Sequence, residues 1–383
     1  MNKPLKVLII EDSELDALLL VEHLRKGGYE PEFRRVDSAA GLRTALSGSS
    51  WDIIFSDHSM PGFSSFAALE IVKGMRLDVP FLIVSGVIGE EVAVAAMKAG
   101  AQDYIMKGNL ARLVAAVNRE LADAESRRAR RVAERALLAR EEELRIAREI
   151  QQQLFPAARP ASAGYDIAGA SSPAEATGGD YFDFIAGPGG EIYIVVGDVT
   201  GHGLGSALLM ADARAYLRAL VLSNRSFEDI MVQARRLLLE DLGNERFITM
   251  LFAQLMPPTG LLNYINAGHP TGYVISPDGH VRAEFAARAP ALGIDDEHIR
   301  LMPETVSLET GDMVVLLTDG ILEAPSSSGE EFGVARVLET VCRERARPSA
   351  EIIRALFDEL RRFTGAVSFQ DDVTAVVAKR LAG

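Results

Sequence analysis

The segment EIYIVVGDVTGHGLGSALLM, residues 191–210, combines an acidic residue, several glycines and a change of periodicity. An apolar run ends at Asp198, Gly201, Gly203 and Gly205 follow, and a helix-like pattern begins directly afterwards. A strand, a glycine loop and a helix also make up a dinucleotide-binding turn, whose glycines let the backbone approach a pyrophosphate. Asp198 argues against that interpretation, because an anion at a strand end suits a cation better than a phosphate. A tight turn without a ligand is the third interpretation.

Three more segments place an aspartate beside a predicted strand, which gives a set of four acids. The segments are TGGDYFDF at 177–184, LLTDGI at 316–321 and FQDDVTAVV at 369–377, and the four acids are Asp180, Asp198, Asp319 and Asp371. Carboxylate oxygens suit Mg²⁺ and Mn²⁺, and four of them carry enough charge to hold two divalent ions about 4 Å apart. That much negative charge would exclude a dinucleotide phosphate. The residues therefore favour a two-metal site.

A second group of polar residues lies at predicted strand ends in the first third of the chain. Apolar runs alternate there with amphipathic stretches, and the runs are LKVLII, EFRRV, WDIIFS, PFLIVS and QDYIM. Five such βα units predict a doubly wound α/β fold with a five-stranded parallel sheet, whose chemistry lies at the carboxyl ends of the strands. The residues at those ends are Glu11, Asp12, Asp57, Ser85 and Lys107.

The three acids at this sheet edge predict a cation site. Converging carboxylates repel one another and raise each other's pKa unless a cation compensates, and Mg²⁺ held by oxygen ligands is the natural partner. Asp57 would then be the nucleophile toward a phosphoryl group.

Between the two acidic regions, one segment predicts a single long helix. Residues 109–155 contain no Gly or Pro in 47 consecutive positions. Nine Arg and eight acidic residues fall between 119 and 149. Two pairs have the i,i+4 spacing of helical ion pairs: Asp123/Arg127 and Glu141/Arg145.

Apolar positions along this helix form an interrupted heptad seam. The seam includes Leu137 and Leu144, has Ala133, Ala147 and Leu154 on a neighbouring line, and is broken by Arg140 and Gln151. The pattern predicts a weak coiled coil that joins two chains into a homodimer through the linker helix. A solvated single helix that spaces two domains is the alternative, because so polar a helix buries little by itself.

The remainder of the chain predicts an α+β domain. Six runs have the character of strands in a largely antiparallel assembly: IYIVVGD, FITMLFAQLM, LLNYINAG, TGYVIS, DMVVLLTD and DVTAVVAK. The segments GSALLMADARAYLRALVL and PSAEIIRALFDELRRF are typical of covering helices. We therefore expect a multi-domain protein with an α/β domain at 1–118, a helical coiled-coil linker at 119–155, and a β-sandwich flanked by helices at 156–383.

Composition limits the classes of function. The chain has 383 residues, of which 48% are hydrophobic, and its formal charge is −14 with a pI near 5.0. Such acidity argues against a general nucleic-acid or anionic-membrane surface. The single Cys342 cannot form an internal disulfide, and neither a signal peptide nor an apolar run of about 18 residues is visible, so we expect a reducing cytoplasm and no membrane contact.

The first part of the chain resembles the response-regulator receiver domain. The motifs are ED at 11–12, DHSMPG at 57–62, VSG at 84–86 and DYIMK at 103–107. The resemblance implies that Glu11 and Asp12 hold Mg²⁺ with Asp57, that Asp57 accepts phosphate from a sensor histidine kinase or another phosphodonor, that Ser85 and Lys107 contact the phosphate, and that Tyr104 moves on activation. Two positions depart from the family pattern: Gly108 replaces the usual Pro, and Ser85 stands where Thr is commoner.

Residues from roughly 145 to 383 resemble the PPM metal-dependent serine/threonine phosphatases, in the bacterial branch of sporulation protein E and RsbU. The motifs are REIQQQLFP, GGDYFD, GDVTGHG, NAGHP at 266–270 and QDDVTAVV. The resemblance implies two Mn²⁺ or Mg²⁺ ions, bridged by Asp198, with the carbonyl of Val199, Asp180, Asp319 and Asp371 completing the site, partly through water.

Other polar residues near these motifs have more than one interpretation. Asp183 and Asp372 are expected to be structural, or to support the ligands, more than to touch metal. His202 and His269 are candidate general acids, but turn histidines that bond loop backbone are the favoured interpretation. Arg214 and Arg246 are the candidates for a contact with the substrate phosphate.

These resemblances imply a phosphatase under two-component control. Hydrolysis would proceed without a covalent intermediate, and the substrate would be a phosphoserine protein, an anti-sigma-factor antagonist by resemblance. Phosphorylation of Asp57 would control turnover through the linker helix. The alternative is a phosphorylation-switched adaptor that binds a partner protein without catalysis, whereas DNA-binding output is disfavoured because no helix-turn-helix candidate follows the linker.

Overall fold

Two compact units make up the chain, Met1–Ala139 and Arg140–Gly383. The structure is a computed structural model, and it describes residues 2–86, 90–156, 164–223, 225–243, 246–294, 300–366 and 369–382. In the described part of the chain, no helix combines the length and the apolarity needed to cross a bilayer.

The first unit is a doubly wound α/β domain. Its elements are β1 (Lys3–Ile10), α1 (Glu14–Lys26), β2 (Tyr29–Val36), α2 (Ala39–Gly48), β3 (Ile53–Asp57), β4 (Ser59–Met60), β5 (Phe63–Ser64), α3 (Ser65–Gly74), β6 (Phe81–Ser85), α4 (Glu90–Ala99) and β7 (Asp103–Met106). Five of these strands form a parallel sheet in the order β2-β1-β3-β6-β7 over the described residues. The predicted five-stranded fold is confirmed.

Helices cover both faces of this sheet. Val7 and Ile9 of β1 pack with Leu20 of α1 on one face, whereas Leu8 and Ile10 pack on the other with residues of α2 and α3. Burial on both faces explains why the second half of β1, from Val7 to Ile10, is continuously apolar instead of alternating. All five parallel strands therefore present their carboxyl ends at one edge, where Asp57 ends β3 and Ser85 ends β6.

A short 3₁₀ turn, Leu110–Arg112, leads into α5 (Leu113–Leu154). The helix has 42 residues and spans about 63 Å at about 1.5 Å per residue. Leu113 and Val117 belong to the core of the first unit. The predicted long helix is confirmed, since the backbone is α-helical without interruption from Leu113 to Leu154.

The prediction of these two ion pairs along the helix was wrong. Among the described residues, Arg127 pairs with Asp78, in the loop before β6, at 3.3 Å instead of with Asp123, and Arg131 contacts the same carboxylate. A tertiary acid within reach outcompetes a pair along the helix surface, whose contribution is only a few tenths of a kcal/mol.

The second predicted pair is also replaced. Arg145 binds Glu142 at 2.7 Å and also contacts Glu149, so acids on both sides of it in sequence hold its guanidinium away from Glu141. The heptad prediction stays untested, because it concerns a second copy of the chain.

The second unit is a sandwich of antiparallel sheets. Its elements are β8 (Tyr165–Ser172), β9 (Tyr181–Ala186), β10 (Ile192–Val199), α6 (Leu204–Leu222), α7 (Phe227–Leu242), β11 (Ile248–Met256), β12 (Leu261–Ala267), β13 (Gly272–Ile275), β14 (Val281–Phe285), β15 (Glu304–Ser307), β16 (Met313–Leu317), α8 (Asp319–Leu322), α9 (Gly333–Glu344), α10 (Ser349–Thr364) and β17 (Val373–Arg380). The two sheets have the strand orders β15-β12-β11-β10-β9 and β14-β13-β16-β17-β8 over the described residues.

Strand β10 shows how the sandwich is packed. Ile194 and Val196 point into the core between the two sheets, whereas Val195 packs outward against α6 and α7. Helices α9 and α10 cover the outer face of the other sheet in the same way. This confirms the predicted β-sandwich with flanking helices. The apolar residues lie between the layers, and polar residues can therefore lie at the ends of the strands.

Candidate functional site

The four predicted metal-binding acids come from both sheets of the sandwich. Asp180 directly precedes β9 and Asp198 lies near the end of β10, in one sheet, whereas Asp319 begins α8 after β16 and Asp371 precedes β17, in the other. They are close enough to repel one another: Asp198 raises the pKa of Asp180, and Asp319 and Asp371 raise that of Asp198. The fold therefore brings together residues that are up to 191 positions apart in sequence, from Asp180 to Asp371.

Asp180 is the most deeply buried of the four, with 2% of its surface exposed. Burial, and then repulsion by Asp198, raise its pKa well above the usual value for an aspartate. The Thr318 hydroxyl donates to Asp180 Oδ2 at 2.8 Å and accepts from the Thr374 backbone N–H at 2.9 Å. Thr318 therefore orients the carboxylate, a role that the sequence did not reveal because the two residues meet only across the sandwich.

Asp198 and Asp319 have the same electrostatic character. Burial first, and then Asp319 and Asp371, raise the pKa of Asp198 to about 7. Burial and Asp371 also raise the pKa of Asp319. Within the described residues, no Lys, Arg or His forms an ion pair with any of the four acids. Clustered carboxylates without a counter-charge are a donor set that fits divalent cations.

A close backbone contact places Val199 beside this cluster. A β-carbon on Gly179 would lie 2.5 Å from the carbonyl oxygen of Val199 and 3.2 Å from Asp198 Oδ1, so only glycine fits there. The Val199 N–H donates to the Gly179 carbonyl at 3.4 Å. The loop that carries Asp180 therefore lies directly against the Asp198–Val199 segment.

Asp372 holds this loop in place. Its Oδ1 accepts from the Ala174 N–H at 2.8 Å, and its Oδ2 accepts from the Gly179 N–H at 2.7 Å and from the Asp180 N–H at 3.4 Å. A side chain on Gly178 would collide with the same carboxylate. Because backbone donors bond both oxygens, Asp372 supports the loop that carries Asp180, which is consistent with the structural role expected from the sequence.

Asp183 is structural as well. The side chain is fully buried, and Arg218 donates to both of its oxygens at 2.6 and 2.7 Å. The Tyr181 hydroxyl donates to it at 2.8 Å, and Arg214 Nε lies 3.8 Å away. The Nε of Arg214 therefore faces a buried acid that is not one of the four predicted metal ligands.

Gln151, near the end of α5, bonds to the same loop. Its Nε2 donates to the Gly178 carbonyl at 2.6 Å, and its Oε1 accepts from the Gly178 N–H at 3.1 Å. The ring of Phe155 stacks on Phe182 of β9, with 5.3 Å between centroids. In the sequence Gln151 only interrupts a heptad seam, and nothing there distinguishes it from the exposed Gln152 beside it.

The two histidines differ from each other. His269 is buried, and burial lowers its pKa to about 3. Its Nδ1 lies 2.9 Å from the Thr249 hydroxyl, and its backbone N–H donates to Asn266 Oδ1 at 2.8 Å. The His202 side chain is 81% exposed, and its Nδ1 lies 3.1 Å from Glu175 Oε1.

In the first unit, the predicted acids also lie together. Carboxylate oxygens of Glu11, Asp12 and Asp57 lie within 4.8 Å of one another, a geometry that could hold a metal ion. Burial raises the pKa of Glu11. Ser85 is buried at the end of β6, and Tyr104 is half-buried on β7.

Lys107 is the cation of this pocket. Its Nζ lies 2.9 Å from Asp57, 2.8 Å from Glu11 and 2.6 Å from Asp16. Burial alone would lower the pKa of Lys107, but hydrogen bonds to Asp16, Glu11 and Asp57 outweigh it and raise the pKa. Asp16 was not predicted, although its position in the first turn of α1, four residues after Asp12, is a signal that could have indicated it.

The fold and the two acidic sites define a response regulator in which a receiver domain is joined to a PPM-type phosphatase domain. Comparison with known families agrees. The chain belongs to the Stage II sporulation protein E (SpoIIE) family, whose model matches residues 188–381, and the response regulator receiver domain model matches residues 7–118.

Individual relatives cover one or both units. Phosphoserine phosphatase RsbU of Bacillus subtilis is 28% identical over 239 residues, which are 62% of this chain and 70% of RsbU. Protein IcfG of Synechocystis is 25% identical over 404 residues, and the alignment covers 97% of this chain but only 58% of IcfG.

Solved structures support the fold of the second unit. The SiaA-PP2C domain of Pseudomonas aeruginosa has a TM-score of 0.55 and 22% identity, covering 64% of this chain and 98% of that one. The PP2C phosphatase domain of SpoIIE from Bacillus subtilis, solved with a fragment of its regulatory domain, has a TM-score of 0.51 and 17% identity, covering 57% and 64%. At these identities the likeness shows the fold alone.

Proposed function

We propose that the protein is a two-component response regulator whose phosphorylation controls a metal-dependent protein serine/threonine phosphatase. The observation that carries this proposal is the cluster of Asp180, Asp198, Asp319 and Asp371: burial and neighbouring carboxylates raise the pKa of the first three, and no basic side chain pairs with any of the four among the described residues. Such an arrangement costs stability unless cations bind it. Similarity to a phosphoserine phosphatase supports phosphoserine as the bond that is hydrolysed.

The ligands of two Mn²⁺ or Mg²⁺ ions would be the four carboxylates and the carbonyl oxygen of Val199. When bound, such ions activate a water molecule for attack and neutralise the phosphate charge. The chain itself positions the ligands: Thr318 orients Asp180, and Asp372 fixes the loop that carries it. Because these supports are hydrogen bonds to buried groups, the carboxylates are held in place before substrate binds.

The control site in this proposal is Asp57. A sensor histidine kinase or another phosphodonor would phosphorylate it, with Mg²⁺ held by Glu11, Asp12 and Asp57 itself. Lys107, which already contacts Asp57 at 2.9 Å, would neutralise the added charge. Its bonds to Glu11 and Asp16 would then compete with the phosphate, so phosphorylation changes the partners of Lys107.

We infer that the linker helix carries the signal as part of a homodimer. Its exposed apolar side chains are Val132, Leu137, Leu138, Ile146 and Ile150, each between 45% and 68% exposed. A second copy of the helix would cover them. At its far end the helix reaches the catalytic loop through Gln151 and Gly178, which offers a direct route from the helix to Asp180.

The substrate in this proposal is a phosphoserine protein, an anti-sigma-factor antagonist by resemblance to RsbU-type regulators. The acidic chain with its single cysteine suits action in the cytoplasm, and its formal charge of −14 argues against general binding to nucleic acid or anionic membranes.

The decisive experiment measures hydrolysis of a phosphoserine peptide by the full chain with and without Mn²⁺, and with and without beryllofluoride. We expect turnover that requires the metal and changes with beryllofluoride. Asp198→Asn should remove nearly all turnover, whereas Asp358→Asn, the same change at an exposed position on α10, should not. A folded wild-type chain without metal-dependent turnover would refute the phosphatase and favour the adaptor, whereas an active Asp198→Asn would refute the two-metal site.

A further inference from the structure

Arg246 lies against the first turn of α6, next to the predicted metal ligands. Its Nη1 and Nη2 are each 3.1 Å from the position of a β-carbon on Gly205. A side chain at position 205 would therefore press on the guanidinium, and glycine leaves open the space that the guanidinium occupies.

The backbone at Arg246 is fixed beside the end of β10. In the antiparallel pairing of β10 and β11, Asp198 lies opposite Thr249 and Val199 opposite Ile248. The pairing continues past both strand ends: the Thr200 N–H donates to the Phe247 carbonyl at 3.0 Å, and the Phe247 N–H donates to the Thr200 hydroxyl at 3.0 Å. Arg246 directly precedes Phe247, and these two hydrogen bonds to Thr200 therefore hold the backbone next to Arg246 beside the residue that follows Val199.

The first turn of α6 borders the same corner of the site. A β-carbon on Gly179 would lie 3.3 Å from Ser206 Cβ as well as against Asp198 and Val199, and the Ser206 hydroxyl donates to the Thr200 carbonyl at 3.2 Å. Ser206 thus packs at the metal-binding cluster, and its neighbour Gly205 lies under the guanidinium of Arg246.

Of the two arginines predicted from the sequence as phosphate contacts, Arg246 is the one whose guanidinium is exposed. Arg214 and Arg218 both face the buried carboxylate of Asp183. Arg246 is exposed, and within the described ranges no acid lies within ion-pair distance of it. An exposed guanidinium beside an acidic, cation-binding cluster has the chemistry and the position to receive an anion that also binds the cations.

We propose that Arg246 binds the phosphate group of the phosphoserine substrate and orients it over the Asp198–Val199 corner. This inference rests on the proposed phosphatase function. The guanidinium donates hydrogen bonds to two phosphate oxygens, exchanges no proton, and forms no covalent bond. Its planar fork matches two oxygens of one phosphate, which a lysine ammonium cannot do.

Steady-state kinetics of the full Mn²⁺-loaded chain test this role with two substrates, p-nitrophenyl phosphate and a phosphoserine peptide. Arg246→Ala should lower kcat/KM by about 10- to 100-fold for both, the size expected for lost charge-assisted hydrogen bonds, mainly through KM. Arg246→Lys should recover part of the loss. Arg225→Ala, at an exposed arginine beyond the other end of α6, is the matched control and should change neither constant.

Phosphate affinity gives a measurement independent of turnover. Inorganic phosphate, titrated calorimetrically into the Mn²⁺-loaded chain, should bind at least 10-fold more weakly to Arg246→Ala than to wild type, with an unchanged melting temperature and an unchanged half-saturating Mn²⁺ concentration. A loss confined to the peptide, or a shift in Mn²⁺ requirement without a change in phosphate affinity, would overturn the proposal. Wild-type chain that hydrolyses neither substrate would instead refute the phosphatase function itself.

Discussion

Replacing Gln151 tests whether the linker helix holds the loop that contains Gly178 and carries Asp180. Gln151 is 6% exposed and gives both of its amide groups to the backbone of Gly178, which is buried. Leucine at this position keeps a similar volume but leaves the N–H and C=O of Gly178 without partners. Each unsatisfied buried group costs about 1–3 kcal/mol, so the loop arrangement seen here loses about 2–6 kcal/mol relative to alternatives in which Gly178 reaches water.

The lower end of this range already predicts a large loss of activity. A shift of about 2 kcal/mol changes the equilibrium constant between this loop arrangement and its alternatives about 30-fold. Because Asp180 follows Gly178 by two residues, we expect Gln151→Leu to lower Mn²⁺-dependent turnover of a phosphoserine peptide by about that factor or more. Higher Mn²⁺ concentration should restore part of the turnover, since metal binding favours the competent arrangement.

Two controls isolate the hydrogen bonds. Gln152→Leu makes the same change at the exposed neighbouring position and should retain activity. Gln151→Glu can still accept from the Gly178 N–H but cannot donate to its carbonyl, so we expect it to lose activity too. If Gln151→Leu kept turnover within threefold of wild type, or lost no more than Gln152→Leu, this coupling between α5 and the site would be wrong.

Three further predictions concern control, pH and the linker. Asp57→Ala should abolish both phosphorylation by a small phosphodonor, detected by mass spectrometry, and the effect of beryllofluoride on turnover, whereas Asp37→Ala, at an exposed acid of the same unit, should abolish neither. Burial lowers the pKa of His269 to about 3, so between about pH 6.5 and 3 the unfolded state binds a proton that the folded state does not bind, and the free energy of unfolding should fall by about 1.4 kcal/mol per pH unit as the pH drops. His269→Gln should lack this contribution. Equal losses of stability in wild type and His269→Gln, measured by denaturation at pH 7, 6 and 5, would contradict the prediction. Inserting Gly-Gly-Gly after Leu138 should preserve metal-dependent turnover but remove its response to beryllofluoride, and an undiminished response would exclude the helix as the route.

The receiver unit could be predicted almost entirely from the sequence because its determinants are local. Four of the five parallel strands contain consecutive apolar residues, with β2 the exception, and Asp57, Ser85 and Lys107 fall at strand ends by position alone. Asp16 was missed because it lies within α1, one helical turn after Asp12, and its bond to Lys107 depends on how that helix packs.

In the second unit, the four acids could be predicted from the sequence, but the residues that hold them in place could not. Asp180 and Asp371 lie in distinctive motifs, whereas the threonine that orients Asp180 is 138 residues away and resembles any other threonine at a strand end. Strand β8 was not predicted, because YDIAGASS is rich in small residues and alternates weakly. Its burial depends on pairing with β17, a partner about 200 residues later.

Two side chains hold the loop before Asp180: Asp372 belongs to the sandwich, whereas Gln151 belongs to helix α5. Asp372, directly before β17, accepts a hydrogen bond from the N–H of Gly179 at 2.7 Å, and this contact persists as long as the two sheets remain packed. Gln151 fixes the adjacent Gly178 from a helix that also packs into the receiver core at Val117. A change in α5 can therefore release Gly178 while Asp372 retains Gly179, which alters the approach of Asp180 to Asp198 without unfolding the domain. In the proposed mechanism, this division of supports would let one helix regulate turnover while the rest of the phosphatase fold stays unchanged.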